Sequence, residues 1–290
     1  MMHILVTGAT GFIGRSVARE ALSRGHAVTA LARSHARADA TLSPHKNLRV
    51  EVAATLADYR PKQSFDRLIH LAWDGSYKYN DPDALLKNLP EQFDFLRYMA
   101  EAGLADMTVG GSCHEYGTRE GMLHEDDPAN GGTYYSLAKV TLYRMLLMLP
   151  AVMQNKMRLK WLRFFYVYGK DQRASSLCPQ LLAAIERKDS SFDMSPGDQE
   201  RDFISAASLA HNTLAVAEQE QVTGIINMGE GRAVKVIDFV RDIMRQKGHK
   251  MTLNCGRYPY PAHEPFSLRA DVTKLKSVRG VKISDEIVVT

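Results

Sequence analysis

The chain has 290 residues, 45% of them hydrophobic and 24% charged, with a formal net charge of +4. That balance describes an ordinary soluble globular protein and is too mild to indicate a nucleic-acid partner. The three cysteines, Cys113, Cys178 and Cys255, are far apart, which excludes a disulfide framework and a cysteine-based metal cluster.

The chain opens on Met1-Met2-His3-Ile4-Leu5-Val6, already a strand, so no signal peptide is expected. The most apolar helical piece, Leu142 to Met153, carries Arg144 and Pro150 and is too short to cross a bilayer. A cytoplasmic protein without membrane contact is the expectation. The first strand, Ile4 to Thr7, runs into Gly8-Ala9-Thr10-Gly11-Phe12-Ile13-Gly14. A helix over Arg15 to Arg24 follows, closed by Gly25. Strand, glycine-rich turn and helix open a dinucleotide-binding βαβ unit. Glycines admit a pyrophosphate close to the backbone, and the helix N-terminus stabilises its charge. Gly8, Thr10, Gly11, Phe12, Ile13 and Gly14 are therefore candidate cofactor-binding residues.

The second strand, Ala27 to Ala32, ends at Arg33-Ser34, and no acid appears before Asp39. An acid near this point would bond the ribose hydroxyls of NAD, whereas an Arg accommodates the 2′-phosphate of NADP. Arg33 therefore favours NADP, with NAD as the alternative.

Leu48 to Ala53 reads as a third strand and Arg67 to Trp73 as a fourth. The stretch from Gly75 to Asp83 is polar loop, and Ala84 to Ala102 has helical spacing. Met107 to Gly110 is a fifth strand running into Gly111-Ser112-Cys113-His114-Glu115-Tyr116-Gly117. Leu159 to Phe165 is a sixth. Beyond Lys170 the pattern gives helices at Leu177 to Glu186, Ser205 to Glu218 and Val236 to Gln246. It also gives a loop at Phe192 to Asp202, a strand at Gly224 to Met228 and an extended stretch at Leu253 to Ala262.

Strands alternating with helices predict an α/β fold, a Rossmann-type doubly wound parallel sheet with a smaller C-terminal substrate-binding lobe. Residues 1–169, with returning segments around 201–230, would form the dinucleotide-binding half and residues 170–290 mainly the lobe. Ligands of such sheets sit at the carboxyl ends of strands, where Ser112 falls.

Tyr135 and Lys139 lie four residues apart in a segment that continues as a helix, so they share one face. A phenol has a pKa of about 10, and a nearby ammonium favours the phenolate. The pair is a plausible acid/base device. The bland alternative is a chance spacing in an ordinary helix.

These marks, taken together, resemble the extended short-chain dehydrogenase/reductases that act on nucleotide sugars. Gly8-x-x-Gly11-x-x-Gly14, Ser112 four residues before Tyr116-Gly117, and Tyr135-x-x-x-Lys139 come in that family's order. His70-Leu71-Ala72, Asn88, Leu162-Arg163-Phe164-Phe165-Tyr166-Val167-Tyr168-Gly169, Arg201-Asp202-Phe203 and Ala270-Asp271-Val272-Thr273-Lys274 resemble further family motifs along nearly the whole chain. Trp73, Cys113-His114-Glu115-Tyr116, Phe165-Tyr166 and Tyr258-Pro259-Tyr260-Pro261 look like its 4-ketoreductase branch.

The resemblance implies roles. Ser112, Tyr135 and Lys139 would be catalytic. Leu71, Ala72, Trp73 and Asn88 would join the glycine turn, Arg33, Tyr135 and Lys139 in holding the cofactor. Cys113, His114, Tyr166, Arg201 and Glu264 would face a nucleotide-sugar substrate, with Arg201 on the diphosphate. No metal is implied, and a homodimer is.

Several departures bear on the reaction. Cys113 and His114 stand where the family's dehydratases have an Asp-Glu pair, which argues against elimination of water. Tyr166 replaces an Asn that usually touches the nucleotide. Val52-Ala53-Ala54 lacks the Asp that often meets adenine, and Pro261-Ala262-His263-Glu264 stands where an Arg is often found. His114 is a second acid/base, a substrate contact or a packed side chain. An NADP-dependent ketoreductase is the leading expectation. A 4-epimerase with retained NAD and a non-catalytic NADP sensor are the alternatives.

Overall fold

The computed structural model describes residues 1–75, 77–153, 157–260 and 264–288. Its centre is a sheet of seven parallel strands. These are β1 (His3–Thr7), β2 (Ala27–Ala32), β3 (Leu48–Val52), β4 (Arg67–His70), β5 (Asp106–Ser112), β6 (Arg158–Phe164) and β7 (Gly224–Met228). Their order across the sheet is β7-β6-β5-β4-β1-β2-β3. The winding reverses between β1 and β4, and a crevice opens there at the carboxyl ends. The central strands are buried end to end, as in Asp106–Ser112, because helices cover both faces.

The main helices are α1 (Phe12–Ser23), α2 (Leu89–Glu101), α3 (Tyr134–Met153), α4 (Leu177–Glu186), α5 (Ala206–Glu218) and α6 (Val236–Gln246). On one face α1 and α5 pack through small side chains, Ala18, Ala21, Ala210 and Ala217, with Leu214 between them. On the other, α2 and α3 bury Leu96, Met99, Leu142 and Leu146 against Trp161. Burying each such Leu or Met contributes about 1.5–3 kcal/mol. A further core gathers around Phe203 and Phe239, whose rings stack at 4.0 Å.

Several boundaries differ from expectation. α1 begins at Phe12, not Arg15, so its first turn carries Ile13 and Gly14. β4 ends at His70, three residues short of Trp73, and β5 runs on through Ser112. The expected single helix over 84–102 is a wide π turn, Ala84–Asn88, followed by α2. Pro90 has no N–H to donate to the preceding turn, and the wider turn precedes it. The expected loop at 192–202 holds two short strand pieces, Ser191–Asp193 paired with Thr252–Asn254 and Glu200–Arg201 paired with Val234–Lys235. The end of the extended stretch expected over 253–262 lies outside the described residues.

Candidate active site

The glycine turn is locked by close approach. Gly8 has φ +66°, and a Cβ there would stand 2.7 Å from the Ala72 nitrogen. A Cβ on Gly14 would stand 2.0 Å from the Gly8 carbonyl oxygen. Neither position admits a larger residue without moving backbone. The Thr7 hydroxyl accepts from the N–H groups of Leu71 and Ala72 at 3.2 and 3.3 Å, tying β1 to the end of β4. His70 bridges the Thr7 hydroxyl and Gln92, and burial lowers its pKa to about 3, so it is neutral there.

The N-cap of α1, Gly11, is extended and caps with no side chain, leaving first-turn N–H groups for an anion. The crevice above it has a volume of about 270 Å³ and is lined by Gly8, Thr10, Gly11, Ala32, Arg33, Arg37, Leu71, Ala72 and Trp73, among others. Arg33 crosses its mouth to ion-pair with Asp74 at 3.0 Å, both side chains being largely exposed. Arg37 Nε donates to the Thr10 hydroxyl at 3.3 Å. Asn88 donates to the Asp74 carbonyl at 2.7 Å, so it holds the loop that follows Trp73. The Trp73 indole nitrogen is buried with no hydrogen-bond partner. An unmet donor, an uncapped helix and two arginines beside a strand end without an acid fit a nicotinamide dinucleotide.

Ser112, Tyr135 and Lys139 come together beside this crevice. Ser112 ends β5 and starts the turn Cys113–Tyr116, its hydroxyl accepting from the His114 N–H at 3.2 Å. α3 starts through a reciprocal pair in which Thr133 N–H donates to the Ser136 hydroxyl and Ser136 N–H to the Thr133 hydroxyl. That fixes the first turn, where Tyr135 N–H also donates to the Tyr79 carbonyl at 3.0 Å. Tyr135 and Lys139 are both buried. The Lys139 ammonium donates to the Gly110 carbonyl at 2.8 Å, lies 3.9 Å over the Trp73 ring, and is 5.9 Å from the centre of the Tyr135 ring.

The electrostatics correct the simple sequence argument. Burial holds the Tyr135 phenol well above its ordinary value, aided by Tyr79 and Glu115 and opposed by a hydrogen bond with Ser112. Burial also pushes Lys139 down to about 7, against the pull of Glu115. In this geometry desolvation is the largest influence on both groups. The phenol is therefore a proton donor at rest.

The substrate-facing candidates form an aromatic wall. The His114 ring lies 4.6 Å from Tyr79 and 6.1 Å from Tyr166, and Tyr79 meets Tyr135 edge-on at 5.7 Å. Cys113 is buried, and burial raises its thiol pKa well above the ordinary value. Arg201 is not a free cation. It ion-pairs with Glu264 at 2.7 Å and donates to the carbonyls of Glu200 and Phe266, with its guanidinium 4.9 Å from the Tyr166 ring. The Tyr166 hydroxyl also reaches Glu264 at 3.4 Å.

Three further residues of the site, Tyr79, Arg37 and Glu115, have no role assigned from the sequence. Tyr79 sits in a loop with no periodic signal. Arg37 is hidden in a short helix, His35–Asp39. Glu115 closes a capping box with Ser112, and the Ser-x-x-Glu spacing was its readable signal. Among the described residues, no group of three or more His, Cys, Asp or Glu side chains could hold a metal ion. No described helix is long and apolar enough to cross a membrane.

A doubly wound α/β sheet with a glycine turn after its first strand defines a Rossmann-type dinucleotide-binding fold. Residues 4–229 match the model of the NAD dependent epimerase/dehydratase family, and the chain belongs to that family. It is 27% identical to dTDP-6-deoxy-L-talose 4-dehydrogenase (NAD(+)) of Aggregatibacter actinomycetemcomitans, covering 92% of this chain and 98% of that one. Identity to dTDP-6-deoxy-L-talose 4-dehydrogenase (NAD(P)(+)) of Kitasatospora kifunensis is 24%, over 85% and 79% of the two chains. The structure of MoeE5 in complex with UDP-glucuronic acid and NAD superposes with a TM-score of 0.80 at 25% identity, covering 98% of this chain and 94% of that one.

Proposed function

We propose that this protein is an NADP-dependent reductase of a nucleotide-linked 4-keto-6-deoxyhexose. The observation that carries the reading is Tyr135, a phenol on α3 that burial keeps protonated, hydrogen-bonded with Ser112 at the carboxyl end of β5 and four residues before Lys139. The Ser112 hydroxyl hydrogen-bonds the sugar C4 carbonyl oxygen and holds the ketone in place. Tyr135 gives its proton to that oxygen, and Lys139 supplies positive charge as the phenolate forms. When bound, NADPH supplies the hydride that C4 receives. Hydride and proton together convert the ketone to the alcohol, and no other co-reactant is needed.

The rest of the site agrees with a neutral deoxysugar. Tyr79, His114, Tyr166 and Cys113 present aromatic and apolar surface, and the Glu264 carboxylate would repel a sugar acid. Arg201 would exchange Glu264 for the nucleotide diphosphate, which a guanidinium fork suits. Cys113 and His114 supply no carboxylate pair for dehydration. Arg33 and Arg37, at a strand end without an acid, support NADP. In this reading residues 1–169, with the returning segments, hold the cofactor and residues 170–290 mainly hold the sugar.

A second reading, a 4-epimerase with retained NAD, draws on one observation: Asp74 already neutralises Arg33. The test is loss of reduced-nicotinamide absorbance when purified protein and NADPH meet the glucose and L-lyxo isomers of dTDP-4-keto-6-deoxy-sugars. Stoichiometric oxidation supports the reductase. No oxidation with either isomer, together with NAD released on denaturation, supports the epimerase.

A further inference from the structure

Glu115 is a buried carboxylate that the roles above leave out. Its side chain is fully buried. It accepts from the Ser112 N–H at 2.8 Å, from the Trp161 indole N–H at 2.9 and 3.0 Å, and from Arg163 Nε at 2.8 Å. A buried carboxylate persists only where it is paired and hydrogen-bonded, and these donors meet that requirement. The backbone makes room for it. A Cβ on Gly111 would stand 2.3 Å from the Trp161 indole nitrogen and 2.6 Å from a Glu115 carboxylate oxygen. The neighbouring Gly110 carbonyl is the acceptor for Lys139. Three successive residues at the end of β5 thus connect the carboxylate on one side with the ammonium on the other.

We propose that Glu115 is a positioning residue for Ser112, Tyr135 and Lys139. Its carboxylate fixes the turn that presents the Ser112 hydroxyl, and its charge favours an ammonium at Lys139. The proposal rests on the reading that these three residues carry the proton transfer. The groups that face it are Arg163 from β6, Tyr135, Lys139 and Tyr143 from α3, and Cys113 from its own turn, with Tyr116 stacked on Arg163 at 4.2 Å.

The direction of its influence follows. The negative charge raises the pKa of Lys139 and also that of Tyr135. Removing it lowers both. Ketone reduction needs both groups protonated, so the alkaline limb of kcat moves to lower pH. A purely packing role would lower the melting temperature and leave that limb where it is.

The experiment compares the wild type with Glu115→Gln. That variant leaves Arg163 buried without a counter-charge and risks misfolding. The double variant Glu115→Gln/Arg163→Met removes both charges and keeps the comparison open. kcat is measured against pH with NADPH and a dTDP-4-keto-6-deoxy-sugar. The expected result is an alkaline limb about one pH unit lower, with kcat reduced about tenfold at neutral pH and KM nearly unchanged. An unmoved limb in a folded variant overturns the proposal. If the wild type reduces no such sugar, the functional reading fails. The substrate-free ionisation of Lys139, which lies near 7, followed by NMR of the lysine ammonium against Lys139→Met, then decides. A downward move in the folded variant supports Glu115, and no move overturns it.

Discussion

The Lys139 ammonium sits 3.9 Å from the centre of the Trp73 indole while donating to the Gly110 carbonyl at 2.8 Å. A fully buried ammonium is costly, and a cation–π contact returns about 0.5–2 kcal/mol of that cost. The balance remains unfavourable, since burial holds Lys139 near 7. The site therefore keeps a charge that the fold alone would rather lose.

That strain makes a prediction about Lys139→Met. The folded-state pKa of Lys139 is depressed to about 7, below the unfolded value of about 10.4. Below the folded pKa both states are protonated and the burial cost is fully felt. Between the two values the cost falls as pH rises, so this group makes the wild-type apoprotein more stable toward alkaline pH. Lys139→Met should melt several degrees above the wild type at about pH 6 and show a smaller gap at about pH 9. Thermal melts of both apoproteins decide it, and a gap that does not shrink contradicts the account.

Tyr135→Phe keeps the ring packed against Trp73 and Tyr79 and removes only the hydroxyl. kcat should fall by a factor of about 100 or more, while the cofactor dissociation constant stays within about twofold, since the variant removes no charge from the cofactor crevice. Fluorescence titration with NADPH and steady-state rates separate the two. Unchanged turnover would remove Tyr135 from the chemistry.

Much of this arrangement was readable because it is local. β2, β7, α4 and α6 have the bounds that apolar runs and glycine breaks predict. The glycine turn and the Tyr135–Lys139 spacing are likewise written within a few residues. What escaped depends on distant partners. Gly121–Leu123 becomes a strand only by pairing with Leu268–Ala270, and neither segment has enough pattern to announce itself. A charged residue such as Glu115 is ordinarily exposed. Its burial follows from Trp161 and Arg163, which lie on another strand. The pairing of Arg201, which the family resemblance puts on the diphosphate, with the Glu264 carboxylate joins residues 63 positions apart and has no local signal.

The Arg33–Asp74 pair bears on cofactor choice in both directions. Arg33→Asp removes the cation proposed for the 2′-phosphate and should raise the KM for NADPH about tenfold or more, with little change for NADH. Asp74→Asn frees Arg33 and should strengthen NADPH selectively. Parallel KM measurements with both cofactors check this. An equal loss for NADPH and NADH in Arg33→Asp would count against a phosphate role and toward NAD.

The final prediction concerns assembly. Tyr134, Leu137 and Met148 are exposed apolar side chains at helical spacing along α3, and Leu86 is exposed on the turn that leads into α2. α2 and α3 pack together, so their outward faces form one surface. Exposed large apolar side chains gathered on one face mark an interaction surface more often than a solvated one. A second copy presenting the same stripe would cover it with a two-fold, self-complementary contact. Wild-type protein should therefore elute from size exclusion as a dimer at micromolar concentration. Leu137→Asp combined with Met148→Asp places two carboxylates in that contact from each chain and should yield monomer. A wild type that light scattering finds monomeric at every concentration would leave this stripe without the partner proposed for it.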